Sequence, residues 1–288
     1  TPLRSRVFSV AGGNCATADA CEKVDGATLC VRAVVAEKPR PFVGHVTGAM
    51  LPHPSLEVTQ RSADPTFWCR RAPAATVVPM PAAVTQGTAP AVVFAGGSGI
   101  APFRRLLQVR AAARAGLPAG GMLAPLSLLW LCRDAHDTTP LAHAALLQEI
   151  SQLNVVLTRA RDGGPACLKH LTTLPHAPPI TTMPDVASGL TAMAGHVWAA
   201  LKPGANGCVL WCGPKSFNDR IRAELPDMLD AGCRAAPETA GEPASVALRG
   251  LPPQDYVEAL LERAPAAETR RLWWEDWGAI GPTEGGLF

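Results

Sequence analysis

The chain has 288 residues, 48% of them hydrophobic, and its 26 basic and 24 acidic side chains leave a formal charge of +2. That composition supports one large domain or two medium ones with a real core, and it excludes a disordered chain. Nearly balanced charge without a long basic run excludes nucleic acid or an anionic membrane as the main partner.

No segment approaches the roughly 18 consecutive apolar residues that span a bilayer. The richest run, Leu126 to Cys132, is far shorter, so the chain is expected to be soluble. Nine cysteines, an odd number with no CxxC pair, argue against a disulfide framework and for a reducing, cytoplasmic setting. Cys15 with Cys21, or Cys208 with Cys212, lacks a second pair or a histidine at zinc-site spacing, so no metal is expected. A start at Thr1 without a signal-like apolar segment suggests a piece of a longer polypeptide.

Along the chain, residues 1–80 show short β-type runs, Arg6 to Val10, Thr28 to Val35 and Leu56 to Thr59, separated by Gly, Pro and Asp. They read as part of an antiparallel barrel. The Pro- and Ala-rich stretch from Thr76 to Ala89 reads as a connection. From Pro90, apolar strands alternate with helical patterns, the signature of a doubly wound parallel sheet in an α/β domain over 90–288. Strands are expected over 91–95, 126–132, 153–158 and 208–212. Helices are expected from Pro102 to a stop at Gly116, near Pro140 with Thr139 as cap, and over 190–201. A last helix is expected from Ser216 to about Ala231, with Pro226 as a kink and Gly232 as its stop. Residues 164–189 and 235–253 read as surface insertions.

The most informative stretch is the first of these strands, which stops abruptly at Gly96-Gly-Ser-Gly-Ile-Ala-Pro102 and restarts as a helix. Gly96, Gly97 and Gly99 permit positive φ and close backbone approach, and Pro102 fits a first helical turn whose N–H has no intrahelical partner. With Ser98, the exposed amides and the positive helix end form a cradle for a diphosphate. The plainer reading is an ordinary strand-to-helix turn. Ligands of such sheets sit at the carboxyl ends of the strands, where Cys132-Arg133, Thr158-Arg159 and Cys212-Gly-Pro214 also fall.

These motifs, in this order, resemble the nicotinamide-binding half of the ferredoxin–NADP reductase superfamily. Ala101-Pro-Phe-Arg104 is most similar to the diflavin reductases, the group of cytochrome monooxygenase reductase and sulfite reductase flavoprotein. Upstream, Arg6-Val-Phe-Ser9 resembles that family's flavin motif, and Gly44-His-Val-Thr47 opens a stretch to Leu51 similar to its second flavin segment. The resemblance implies a partial FAD-binding barrel over 1–80 followed by an NADP-binding domain. It also implies hydride transfer from NADPH to FAD, and onward transfer of electrons to a flavodoxin-like FMN domain or a haem protein.

The resemblance assigns roles residue by residue. Arg6 would pair with the flavin diphosphate, Phe8 would lie against the flavin, and Ser9 would hydrogen-bond near the flavin nitrogen that receives hydride. Gly44 and Thr47 would contact the diphosphate. Read alone, the first of these motifs is a half-buried strand and the second a turn. Cys132, Arg133, Thr158 and Arg159 would hold the adenosine 2′-phosphate and its neighbours, with Arg161 and Lys169 adding charge; a solvated strand-end arginine is the plain alternative. Cys212 would sit beside the nicotinamide, although most buried cysteines are small hydrophobes. In Arg270-Arg-Leu-Trp-Trp-Glu-Asp-Trp-Gly278, Asp276 and Trp277 resemble the diflavin ending; Trp277 would cover the flavin, with Trp274 as its rival. The tryptophans equally suit a packing cluster or a partner surface. Two other functions fit the same residues: a degenerate, non-catalytic module, and an NADH-linked ferric or oxygen reductase of the same superfamily.

Overall fold

A computed structural model describes residues 80–118, 121–133, 135–158, 168–239, 243–262 and 271–277, together with four short strands nearer the start. Those four are β1 (Val10–Gly13), β2 (Ala27–Leu29), β3 (Val35–Ala36) and β4 (Phe42–Val43). β1 pairs with β2 and β3 with β4, both antiparallel. The barrel inferred for 1–80 otherwise lies outside the described residues.

The α/β expectation is met by a six-stranded sheet in which every neighbouring pair is parallel. Its strands are β5 (Ala91–Gly96), β6 (Leu126–Cys132), β7 (Gln152–Leu157), β8 (Ile180–Met183), β9 (Cys208–Pro214) and β10 (Leu272–Trp277), in the order β10-β9-β5-β6-β7-β8. β5, β6 and β9 are apolar nearly throughout because both faces of the sheet are covered. Alternate residues supply two cores. Val93, Ala95, Trp130, Leu210 and Cys212 pack on one face, and Val92, Phe94, Leu129, Val209 and Trp211 on the other.

The first face carries α1 (Ala82–Thr85), α2 (Ala101–Ala115), α3 (Ala144–Leu147) and α4 (Lys169–Thr172). Residues 82–85, within the expected connection, form α1, whose Val84 is fully buried. The α2 residue Arg110 ties this segment down by donating to the carbonyls of Val84 and Ala124. A second α2 arginine, Arg114, donates to buried Glu149 at 2.6 Å, just beyond α3. The helix expected near Pro140 is instead a 3-10 stretch over Ala135–Leu141, with α3 following it. Gly116 caps α2, as its sequence signal indicates.

The second face carries α5 (Val186–Leu201), α6 (Lys215–Ala235), α7 (Ala244–Ala247) and α8 (Pro253–Glu262). Asp185 caps α5 by accepting from the Ser188 amide. The segments read as insertions contribute instead to the body of the domain: β8 forms one sheet edge, and Ala244 and Leu248 are buried. Gly232 does not stop α6, which continues to Ala235. A Cβ at Gly232 would sit 2.3 Å from the Ala194 carbonyl oxygen and 2.7 Å from Trp198 Cβ, so this glycine lets α6 lie directly on α5. Among the described residues no helix is long and apolar enough to cross a membrane.

A polar string crosses from the sheet to α5 near the amino ends of β6 and β7. His196 Nδ1 meets Ser127 Oγ at 3.1 Å, and His196 Nε2 meets Gln152 Oε1 at 2.8 Å. Gln152 Nε2 then donates to Asn154 Oδ1, and Asn154 Nδ2 to Met193 Sδ. Because an amide oxygen only accepts, Nε2 carries the proton of the neutral ring and Nδ1 accepts from Ser127. Burial holds the His196 pKa below its ordinary value. The unfolded chain therefore takes up the proton first as pH falls. Stability is predicted to decline as pH drops below about 6.5, the ordinary imidazole value, and to level off beneath the lowered native pKa. Chemical denaturation across this range checks it, and His196→Gln should flatten that part of the profile.

Candidate functional site

The order of the sheet reverses between β5 and β9. After β5 the chain rises into α2 on one face, and after β9 into α6 on the other, so the carboxyl ends of these strands border a crevice. Gly96 ends β5, a 3-10 turn covers Gly97–Ile100, and α2 follows with Pro102 in its first turn. Gly97 has φ +56°, a left-handed conformation that glycine adopts at no steric cost, and apart from the turn itself no described atom lies within 4 Å of where its Cβ would stand. Gly97 and Ser98 are partly exposed, whereas Gly99 and Ile100 are buried.

Gly99 has the opposite surroundings. A Cβ there would lie 2.1 Å from the carbonyl oxygen of Cys212 and 3.1 Å from the Gly213 nitrogen. Only a hydrogen fits between the turn and the end of β9. Gly213 is similarly constrained, since its Cβ would stand 2.6 Å from Phe217 Cδ1 and 3.2 Å from Gly96 Cα. The glycines thus serve two purposes: Gly97 opens the cradle, and Gly99 and Gly213 let β5, the turn and β9 close on one another.

Cys212, level with Ala95 in the ladder, is fully buried on the α2 face with Phe103 and Trp273. The parallel register then sets Glu275 beside Cys212, Asp276 beside Gly213 and Trp277 beside Pro214. Sequence candidates some sixty residues apart, Cys212 with Asp276 and Trp277, therefore share one pair of strand ends. Nothing in the sequence pattern marked β10 as a strand. Of the other tryptophans, Trp273 packs edge-on against Phe103 at 5.9 Å, while Trp274 stacks on Trp211 at 5.4 Å under the guanidinium of Arg222. Trp274 belongs to the α6 face, beside a cleft of about 100 Å³ that Lys215 and Asn218 help to line.

Further along the carboxyl edge, Thr158 is exposed and its amide donates to the Cys132 carbonyl, so the ends of β6 and β7 are joined. Arg133 follows Cys132, whose own side chain is buried on the α2 face. The Arg133 amide donates to Asp137 Oδ2 at 3.0 Å, a carboxylate that the motif reading did not include. The adjoining Thr138 hydroxyl donates to the Ala135 carbonyl and lies 2.7 Å from His170 Nε2. A hydroxyl has one proton to give, so the imidazole donates that second bond. Lys169, next to His170, is exposed. Arg6, Phe8, Ser9, Gly44, Thr47, Arg159 and Arg161 lie outside the described residues, in which no group of three or more His, Cys, Asp or Glu could hold a metal.

The thiols also differ by position. Burial pushes the Cys208 thiol up to about 11 at the amino end of β9, where it stays protonated. Cys212 is the β9 thiol at the end that faces the crevice.

Comparison with protein-family models and with curated proteins finds no match. Among solved structures, a flavohemoglobin from Malassezia yamatoensis with bound FAD and heme aligns with a TM-score of 0.30 and 17% identity over 49% of this chain. The chain spans 28% of that protein's length. A mutant ferredoxin–NADP+ reductase from Plasmodium falciparum with 2′P-AMP aligns with a TM-score of 0.41 and 12% identity, over 94% of this chain and 77% of the other. At these TM-scores the alignments assign no activity to this chain.

The tightness at Gly99 yields a direct prediction. Gly99→Ala forces the turn and β9 apart, costing about 1–3 kcal/mol of stability by overpacking. It should also weaken any ligand of the crevice. A thermal melt and a binding titration on the same sample check both effects.

Proposed function

We propose that the chain is the nicotinamide-coenzyme and flavin module of a reductase, taking hydride from NADPH to FAD and releasing electrons to a flavodoxin-like or haem acceptor. The observation that carries this reading is the crevice between β5 and β9, bordered by the Gly97–Gly99 turn, Cys212 and the backbone of Asp276 and Trp277. The space above Gly97 and the positive end of α2 suit a diphosphate. FAD rests on the motifs at Arg6, Phe8 and Ser9 and at Gly44 and Thr47, which are legible in the sequence alone.

The chemistry itself belongs to the coenzyme and the flavin, which together supply a hydride donor and acceptor. What the residues do is hold and orient. The Gly97–Gly99 amides would bind the diphosphate, and Cys212 and the Trp277 segment would set the depth of the nicotinamide. Arg133, Thr158 and Arg159 would meet the 2′-phosphate at the joined ends of β6 and β7. Hydride transfer requires the reacting atoms within about 3.5 Å, which makes rigidity at the β5–β9 junction part of the function.

Asp137 favours a second reading. A carboxylate at the end of the second strand suits a ribose 2′-hydroxyl and opposes a 2′-phosphate, which would make the module NADH-linked. The Arg133 amide holds this carboxylate at 3.0 Å without neutralising its charge.

The experiment is an absorbance spectrum for flavin, followed by steady-state reduction of ferricyanide with each coenzyme. Arg159→Ala should raise the NADPH KM by roughly 10–100-fold, the worth of a charged hydrogen bond, and leave NADH nearly unchanged. Equal losses would remove the phosphate contact. Arg6→Ala should lower flavin content without altering coenzyme preference.

A further inference from the structure

Trp130 has no part in the reading above. It lies on β6, is 1% exposed, and its indole N–H donates to the carbonyl oxygen of Gly97 at 2.9 Å. A buried indole usually finds an acceptor, but this acceptor is the most permissive residue of the turn. Gly97 has φ +56° and nothing stands where its Cβ would be, so the orientation of the peptide that follows is set by the 3-10 turn over Gly97–Ile100 and by what bonds the Gly97 carbonyl. Rotation of the Gly97–Ser98 peptide would exchange the directions of its C=O and N–H.

In a trans peptide those two groups point to opposite sides. With the oxygen held toward Trp130 in the core, the Ser98 N–H is directed outward, at the carboxyl end of β5 and the mouth of the crevice. The rotated peptide would turn a carbonyl oxygen to the same place and repel an anion. We propose that Trp130 is a positioning residue for the coenzyme. Its indole N–H selects the peptide orientation that presents the Ser98 amide to the diphosphate. The inference rests on the dinucleotide reading and deepens it.

Two substitutions of the full chain test this. Trp130→Phe removes the donor at some cost in volume, and replacement of Trp130 by 3-benzothienylalanine puts sulfur in place of the N–H with the double ring retained. Calorimetric titration uses NADP+, NAD+ and adenosine 2′-phosphate, the last lacking a diphosphate. Both substitutions should weaken NADP+ and NAD+ by the same factor, roughly 3–10-fold, the worth of one hydrogen bond, and leave adenosine 2′-phosphate unchanged. Wild-type affinity for NADP+ in the sulfur isostere, or an equal loss for adenosine 2′-phosphate, overturns the positioning role. Failure of the wild-type protein to bind either dinucleotide overturns the coenzyme reading itself, and the role of Trp130 with it.

Discussion

The carboxyl edge of the sheet depends on one close approach. Where β5 becomes α2, the backbone passes so near the end of β9 that a methyl group at Gly99 would overlap the Cys212 carbonyl. This contact joins the two strands from which the chain departs to opposite faces of the sheet, and it makes the crevice a rigid notch. Beside it, nothing stands where a Cβ of Gly97 would be, and the edge strand β10 pairs in parallel with β9, Glu275 level with Cys212.

Burial on both faces is what keeps the notch rigid. Trp130 and Trp211 are each about 1% exposed and occupy opposite cores, one bonded to the turn and the other stacked beneath Trp274. Interiors packed at crystal-like density transmit small displacements rather than absorbing them. The carboxyl edge is therefore the place where a ligand can be held by backbone groups that need no reorganisation, the feature that makes amide cradles effective for anions. The opposite edge carries the Ser127–His196–Gln152 string, in which burial favours the neutral imidazole.

Much of this was legible in the residues. β5, β6, β7 and β9 are central and covered on both sides, so they read as apolar runs, broken in β7 by Asn154, and the Gly96–Pro102 turn announces itself by composition. The edge strands escaped for a common reason. β8 is Ile-Thr-Thr-Met and only partly buried, and β10 is Leu-Trp-Trp-Glu-Asp-Trp, so neither shows a period that distinguishes a strand from a tail. Gly232 misled because a glycine late in a helix signals a stop in local terms, whereas here it answers to the α5 backbone. The bond from Trp130 to Gly97 arises only when separate segments meet, and no spacing rule encodes it, whereas that from the Arg133 amide to Asp137 is local and lies outside the motifs.

The site therefore has two levels of support. The turn, Cys212 and the ends of β6 and β7 are brought to one edge by the sheet, while the flavin motifs stand on sequence alone. The most direct measurement is calorimetric titration of the intact chain with NADP+ and NAD+. The account predicts saturable one-to-one binding with at least one of them. A protein that melts cooperatively and yet gives no heat with either coenzyme would contradict it.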